Sequence, residues 1–376
     1  MPVCLATHSS RHQGRADSRW PCPNSAAAIE EPSGRCIHIG LINNMADGAL
    51  VATERQFLSL LDAASGELQV RLSLYALSGV SRSEAGARHI ENFYAPAESL
   101  FGKRLDGLIV TGREPMALRL SDEPYCEGFT QVLEWARENT YSTVWSCLAA
   151  HAAVLHMDGI ERVRSREKHY GIFECAQLAE HPLTVGTPAR FALPHSRWNG
   201  LPEDALNRNG YRVLTRAADA GVDTFVKDQG SLFLFFQGHP EYESNTLLLE
   251  YRRDVGRFLR GESDSYPSMP KGYFNTATQS ALTALRDAAV AQPGESLLAD
   301  VSNVVEALQI ENTWSATATC VYRNWLTYIS ARKQLDFGSD GGRHSRESLA
   351  PGASGQILSA PGLPQSSRTA TVSNRV

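Results

Sequence analysis

Between about Ile37 and Lys333 the chain alternates two hydrophobic patterns. Short runs of β-branched and aliphatic residues, IHIGLI (37–42), LQVRLSLYAL (68–77), LDGLIVTG (105–112), YSTVWS (141–146) and SLFLFFQG (231–238), predict strands. Longer stretches with apolar positions every three or four residues, VATERQFLSLLDAA (51–64), FTQVLEWARENT (129–140), LAAHAAVL (148–155) and 245–259, predict helices. SLFLFF is apolar at every other position and also between them, as a strand covered on both faces must be. The alternation predicts an α/β fold with a mostly parallel open sheet flanked by helices. A terminal helix carrying Trp314 and Trp325 is predicted at about 306–333. Residues 1–34 and 339–376 mix Ser, Arg, Pro, Gly and Ala without either period and are predicted disordered, leaving 35–338 as the folded domain.

Composition narrows the function classes. With 376 residues, 42% of them hydrophobic, the chain can build a substantial core. A net charge of -5 provides no basic excess for a phosphate backbone, so nucleic acid is not the expected partner. No window reaches the roughly 18 apolar residues that read as a membrane span, and the N-terminus lacks a secretory pattern. The seven cysteines are widely spread and form no CxxC pair, which suits free thiols in the cytoplasm.

One cysteine stands apart by position. Cys147 falls between a predicted strand and a predicted helix, where the turn presents its side chain at the strand's carboxyl end and helix amides favour a thiolate and an oxyanion. A free cysteine is more often a small buried hydrophobe, so the placement is what carries the reading. A nucleophilic thiol needs a base, and QGHPEYES places His239 after a second central strand with Glu241 two positions on, Pro240 fixing the backbone between them. Strand ends share one edge in a parallel sheet, so Cys147 and His239 are expected to meet. No metal is expected. The histidines form no HExxH pattern, and His151 and His156, five positions apart, lie about 140° apart around a helix.

The motifs ERQFLSLL, HIENFYAP, LDGLIVTG, LEWARENTYST, REKHYGIFEC, LPHSRW, GHPEY, LEYRRD and NTW…NWLTY, in this order, resemble the homoserine O-acyltransferase family of methionine biosynthesis, whose fold is class I glutamine amidotransferase-like. The resemblance implies that Cys147 carries an acyl-thioester, His239 accepts the proton and Glu241 completes a triad. It implies substrate contacts for Lys168, Ser196 and Arg253, the last a guanidinium fork for an amino-acid carboxylate. Substrates would be L-homoserine and succinyl-CoA or acetyl-CoA, the acyl-CoA serving as co-substrate with no resident cofactor, and the assembly a homodimer.

Three segments depart from the family pattern. NNMADGALVATERQ has no lysine where a Pro-Lys-Lys run is usual, Leu148 follows the nucleophile in place of tryptophan, and Met116 occupies the position that separates succinyl from acetyl donors. Nearby Arg113 tilts the reading to succinyl. Two alternatives stay open: a glutamine amidotransferase using the same three residues, although SCLAA lacks flanking glycines, and a noncatalytic binding protein on the same scaffold.

Overall fold

The computed structural model describes residues 3–6, 36–294, 296–306, 308 and 310–347. The elements in chain order are β1 (Val3–Leu5), β2 (Cys36–Ile42), α1 (Asp47–Ser65), β3 (Gln69–Ala76), α2 (Glu84–Phe93), β4 (Ala95–Pro96), β5 (Gly107–Thr111), α3 (Cys126–Asn139), β6 (Ser142–Ser146) and α4 (Leu148–Asp158). They continue with β7 (Val163–Gln177), β8 (Arg190–Gly200), α5 (Glu203–Arg208), β9 (Arg212–Val213), β10 (Thr215–Ala217), β11 (Gly221–Val222), β12 (Thr224–Gln229) and β13 (Ser231–Phe236), then α6 (Thr246–Leu259), α7 (Thr276–Ala291), α8 (Ser296–Glu306) and α9 (Ser315–Glu347). The chain divides into two compact units, Met1–Leu335 and Asp336–Val376. Of the second, the described residues 336–347 are helical.

The main sheet runs β1-β3-β2-β5-β6-β13-β12-β9, with β4 beside β3. It is parallel from β1 through β13, and β12 and β9 add on antiparallel. The expected α/β fold, mostly parallel and flanked by helices, is what forms. Strict alternation divides the central strands between two cores. Leu108, Val110, Trp145, Phe233 and Phe235 pack with α3 and α4 on one face, while Ile109, Val144, Leu234 and Phe236 pack with α1 and α9 on the other. Each such large apolar side chain contributes about 1.5–3 kcal/mol by leaving water, so a one-residue slip of β6 or β13 would be costly.

A smaller antiparallel sheet, β11-β10-β7-β8, was not evident from the hydrophobic pattern. It packs with α6, α7 and α8 into a third core containing Tyr170, Phe173, Tyr251 and Trp314.

Three sequence expectations need correction. Val3–Leu5 is not disordered: Val3 is buried and the segment pairs in parallel with Val70–Leu72 of β3, because three residues with apolar side chains suffice to extend a sheet edge. The remainder of 1–34 lies outside the described residues. The helix expected over about 306–333 is broken: α8 ends at Glu306 and α9 starts at Ser315, whose amide is capped by Asn312 Oδ1 at 2.9 Å. At the other end α9 continues through Glu347, so 339–347 is helical, each added residue of a nucleated helix bringing one more hydrogen bond, while 348–376 lies outside the described residues.

Candidate active site

β6 is buried along its whole length and delivers the chain to Cys147, which takes φ 52° and ψ -112°, the one non-glycine residue with positive φ among the described residues. Such a conformation costs on the order of 1–3 kcal/mol and persists only where the surroundings enforce it. Here the Cys147 amide donates to Phe236 O at 2.8 Å and its carbonyl accepts from Ala150 at 3.0 Å. Gly112 closes the other side: a Cβ there would lie 2.5 Å from Leu148 Cβ and 2.6 Å from the Ala149 nitrogen. The Leu148 and Ala149 amides that open α4 have no intrahelical acceptor, so the positive end of the helix lies at the nucleophile.

β13 pairs in parallel with β6, Phe236 opposite Ser146, which brings the end of SLFLFF beside Cys147. The chain then turns through Gly238, where a Cβ would meet Asp223 Oδ1 at 2.6 Å and Pro194 O at 3.0 Å. The Gly238 amide donates to that Asp223 oxygen at 3.0 Å, and the His239 amide to Pro194 O at 2.8 Å. His239 Nδ1 lies 2.9 Å from Glu241 Oε1. An ionised carboxylate only accepts, so Nδ1 carries the proton and Nε2 is left for the Cys147 thiol, one of the two groups that raise the His239 pKa. The imidazole stacks on Tyr242, centroids 4.2 Å apart. Burial opposes a charge on His239, yet Cys147 and Glu241 on its two sides outweigh burial and hold its pKa well above the ordinary histidine value.

Cys147, His239 and Glu241 open on a cavity of about 1420 Å³. Its opposite wall comes from the smaller sheet and α6. Lys168 on β7 lies 4.2 Å above the Tyr170 ring and 3.8 Å from Asp254 Oδ2. Arg253 on α6 donates to Asp254 Oδ1 at 2.8 Å. Ser196 on β8 donates to Glu250 Oε2 at 2.7 Å, and Tyr242 donates to Glu250 Oε1 at 2.6 Å. Lys168, Ser196 and Arg253 therefore all line the cavity that holds the triad. Met116 does not join them: it is 70% exposed, while Arg113, Glu114 and Pro115 line the cavity.

The lysine-free segment 43–50 is served by a cation from elsewhere. Arg82 donates to the carbonyl oxygens of Asn43 and Met45 and to Asp47, so it ties down the backbone. Leu148 is buried under the Gly112 turn.

Tyr242, Glu250, Arg162 and Arg197 line the cavity and were not singled out by sequence reasoning, whereas Arg113, which was, lines it too. Tyr242 and Glu250 fall inside GHPEY and LEYRRD, so their motifs were visible although their roles were not.

Behind His239, Cys175, His195 and Asp223 bring one ligand-type atom each within 4.8 Å of one another, all buried. A cation fits poorly there. Asp223 already accepts from Gly238, Thr215 and Thr224, and the Arg197 guanidinium donates to His195 Nδ1 at 3.3 Å, adding a fixed positive charge.

Residues 24–335 match the family model described as homoserine O-succinyltransferase. A homoserine O-succinyltransferase of Methylorubrum extorquens is 46% identical over 308 residues, covering 82% of this chain and 92% of its own length. One from Rhodopseudomonas palustris is 45% identical over 315 residues, covering 84% and 93%. Among solved structures, a glutamine amidotransferase from Methylobacillus flagellatus superposes with a TM-score of 0.44 at 16% identity, covering 78% of this chain and 95% of that one, too loosely to argue from.

Proposed function

This chain belongs to the homoserine O-succinyltransferase family, and on that premise we propose that it moves a succinyl group from succinyl-CoA to the hydroxyl of L-homoserine through a thioester on Cys147. The observation that carries the reading is the strained Cys147 at the positive end of α4, with the other nitrogen of the Glu241-bound His239 turned to its sulfur.

In the first half-reaction the Cys147 proton resides on His239 Nε2 and the thiolate attacks the acyl carbonyl carbon. The bond to the CoA sulfur breaks, and that sulfur takes the proton from Nε2. In the second half-reaction the homoserine hydroxyl gives its proton to Nε2, its oxygen attacks the thioester carbon, and the Cys147 sulfur leaves. Glu241 keeps the imidazole in one tautomer and supports the imidazolium formed in each half. The amides of α4 are the donors for the tetrahedral oxyanion, and general-base help from His239 contributes about 10²–10⁴-fold.

An amino-acid zwitterion needs a cation for its carboxylate and an anion for its ammonium. The wall opposite the triad supplies Arg253 and Lys168 for the first, and Glu250, oriented by Ser196 and Tyr242, for the second. The same geometry would accept acetyl-CoA as a poorer donor. The thiol must stay reduced, which suits the cytoplasm, and no helix among the described residues is long and apolar enough to cross a membrane.

Intact-protein mass spectrometry tests the reading. Mixed with succinyl-CoA and no acceptor, the protein should gain one succinyl group, lose it on addition of L-homoserine, and gain none as Cys147→Ala. An adduct on Cys147→Ala, or none on the native chain with either donor, would overturn it.

A further inference from the structure

Two guanidiniums beside Cys147 have no carboxylate of their own. Arg113 follows β5 directly after Gly112, the residue packed against the Cys147 turn. Its Nε is buried without a hydrogen-bond partner, and its Nη2 donates to a weak acceptor, Met116 Sδ, at 3.1 Å. Arg162 lies between α4 and β7, and burial lowers its pKa, which marks a guanidinium partly withdrawn from water. Both line the cavity that holds Cys147, and among the described residues neither forms an ion pair.

The charges around the pair leave a surplus. Both guanidiniums sit within electrostatic range of Tyr125, whose phenol burial keeps protonated with its pKa pushed up to about 12. A buried carboxylate that acts on Arg162 is Glu123. Its Oε1 accepts from the Met116 and Ala117 amides at 2.6 and 2.8 Å, while its Oε2 has no partner. Glu161 acts on Arg162 more strongly than Glu123 does, but it is exposed to solvent and screened by it. Two half-buried guanidiniums that form no ion pair among the described residues leave room for an anion in the cavity that holds the reactive sulfur.

We infer that Arg113 and Arg162 form a subsite for the free carboxylate of a dicarboxylic acyl donor, so that the acyl chain spans from the Cys147 sulfur to the two guanidiniums. This rests on the acyl-transfer reading and adds what selects the acyl group. Met116 acts through Arg113, as the weak acceptor that keeps its fork turned without neutralising it. A carboxylate between two guanidiniums gains charge-assisted hydrogen bonds, and a donor without it leaves both guanidiniums without that partner.

The test measures the rate at which Cys147 is acylated by succinyl-CoA and by acetyl-CoA, using intact mass, in the native chain and in Arg113→Ala, Arg162→Ala and Arg162→Lys. Alkylation by iodoacetamide, an uncharged reagent, reports for each variant whether the thiol site has folded. Each alanine variant should lower the succinyl-to-acetyl rate ratio by about 10- to 100-fold, the size expected for losing a hydrogen bond to a charged group. Arg162→Lys should recover part of the ratio, since it keeps the charge and loses the fork. If the native chain acquires thioesters and the ratio is unchanged in variants that alkylate normally, the subsite is overturned while acyl transfer stands. A native chain that takes up neither acyl group removes acyl transfer and the subsite with it.

Discussion

At the scale of single residues, the site depends on a backbone that its own nucleophile dislikes. Any Cβ at position 147 is strained at positive φ, and only glycine escapes. Cys147→Gly should therefore be more stable than Cys147→Ala by about 1 kcal/mol in urea unfolding, although both lose the thiol. Glu241 is one of the two groups that raise the His239 pKa. Glu241→Gln should move the His239 titration midpoint, followed by NMR, to lower pH and slow Cys147 acylation about 10²-fold. A midpoint that stays put would mean that the carboxylate only orients the ring. Cys147 and His239 were legible in the sequence because a residue just past a buried strand is brought to the sheet's carboxyl edge by its position. Arg113 was visible only through its place near Met116, and Arg162 not at all, since nothing in a sequence distinguishes an unpaired guanidinium from a solvated one.

At the scale of elements, the five long central strands were readable from their apolar runs, whereas β7 and β8 were not. β7 reads VRSREKHYGIFECAQ, largely polar and exposed in its first half, because that half forms the wall of a cavity and not of a core. The α6–α7 connection forms another wall and is fastened to β7 at Gly171. There the Ile172 amide donates to Lys271 O and the Lys271 amide to Tyr170 O, both at 2.8 Å. A Cβ at Gly171 would fall 2.2 Å from Lys271 O, in a backbone with φ 135°. Gly171→Ala should detach this strap, raising KM for the amino-acid acceptor several-fold while iodoacetamide still alkylates Cys147 at the native rate. An equal loss in both measurements would place the damage in the central sheet instead.

At the scale of the whole molecule, two buried imidazoles tie stability to pH. Burial and Arg197 lower the pKa of both His151, to about 3, and His195. Below the ordinary value of 6.5 the unfolded chain binds protons that the folded chain refuses, so stability falls as pH falls. Each histidine contributes at most about 1.4 kcal/mol per pH unit. Urea midpoints should drop between pH 7 and pH 5, and His151→Gln should flatten that slope even if it lowers the midpoint at pH 7. The pairing of β6 with β13 joins residues 90 positions apart in sequence and brings Cys147 beside His239. Parallel contacts of such long range form slowly, because the intervening chain must be ordered before they are rewarded. Recovery of an activated thiol after dilution from denaturant is thus a clock for completion of the central sheet, running behind any signal from the local helices.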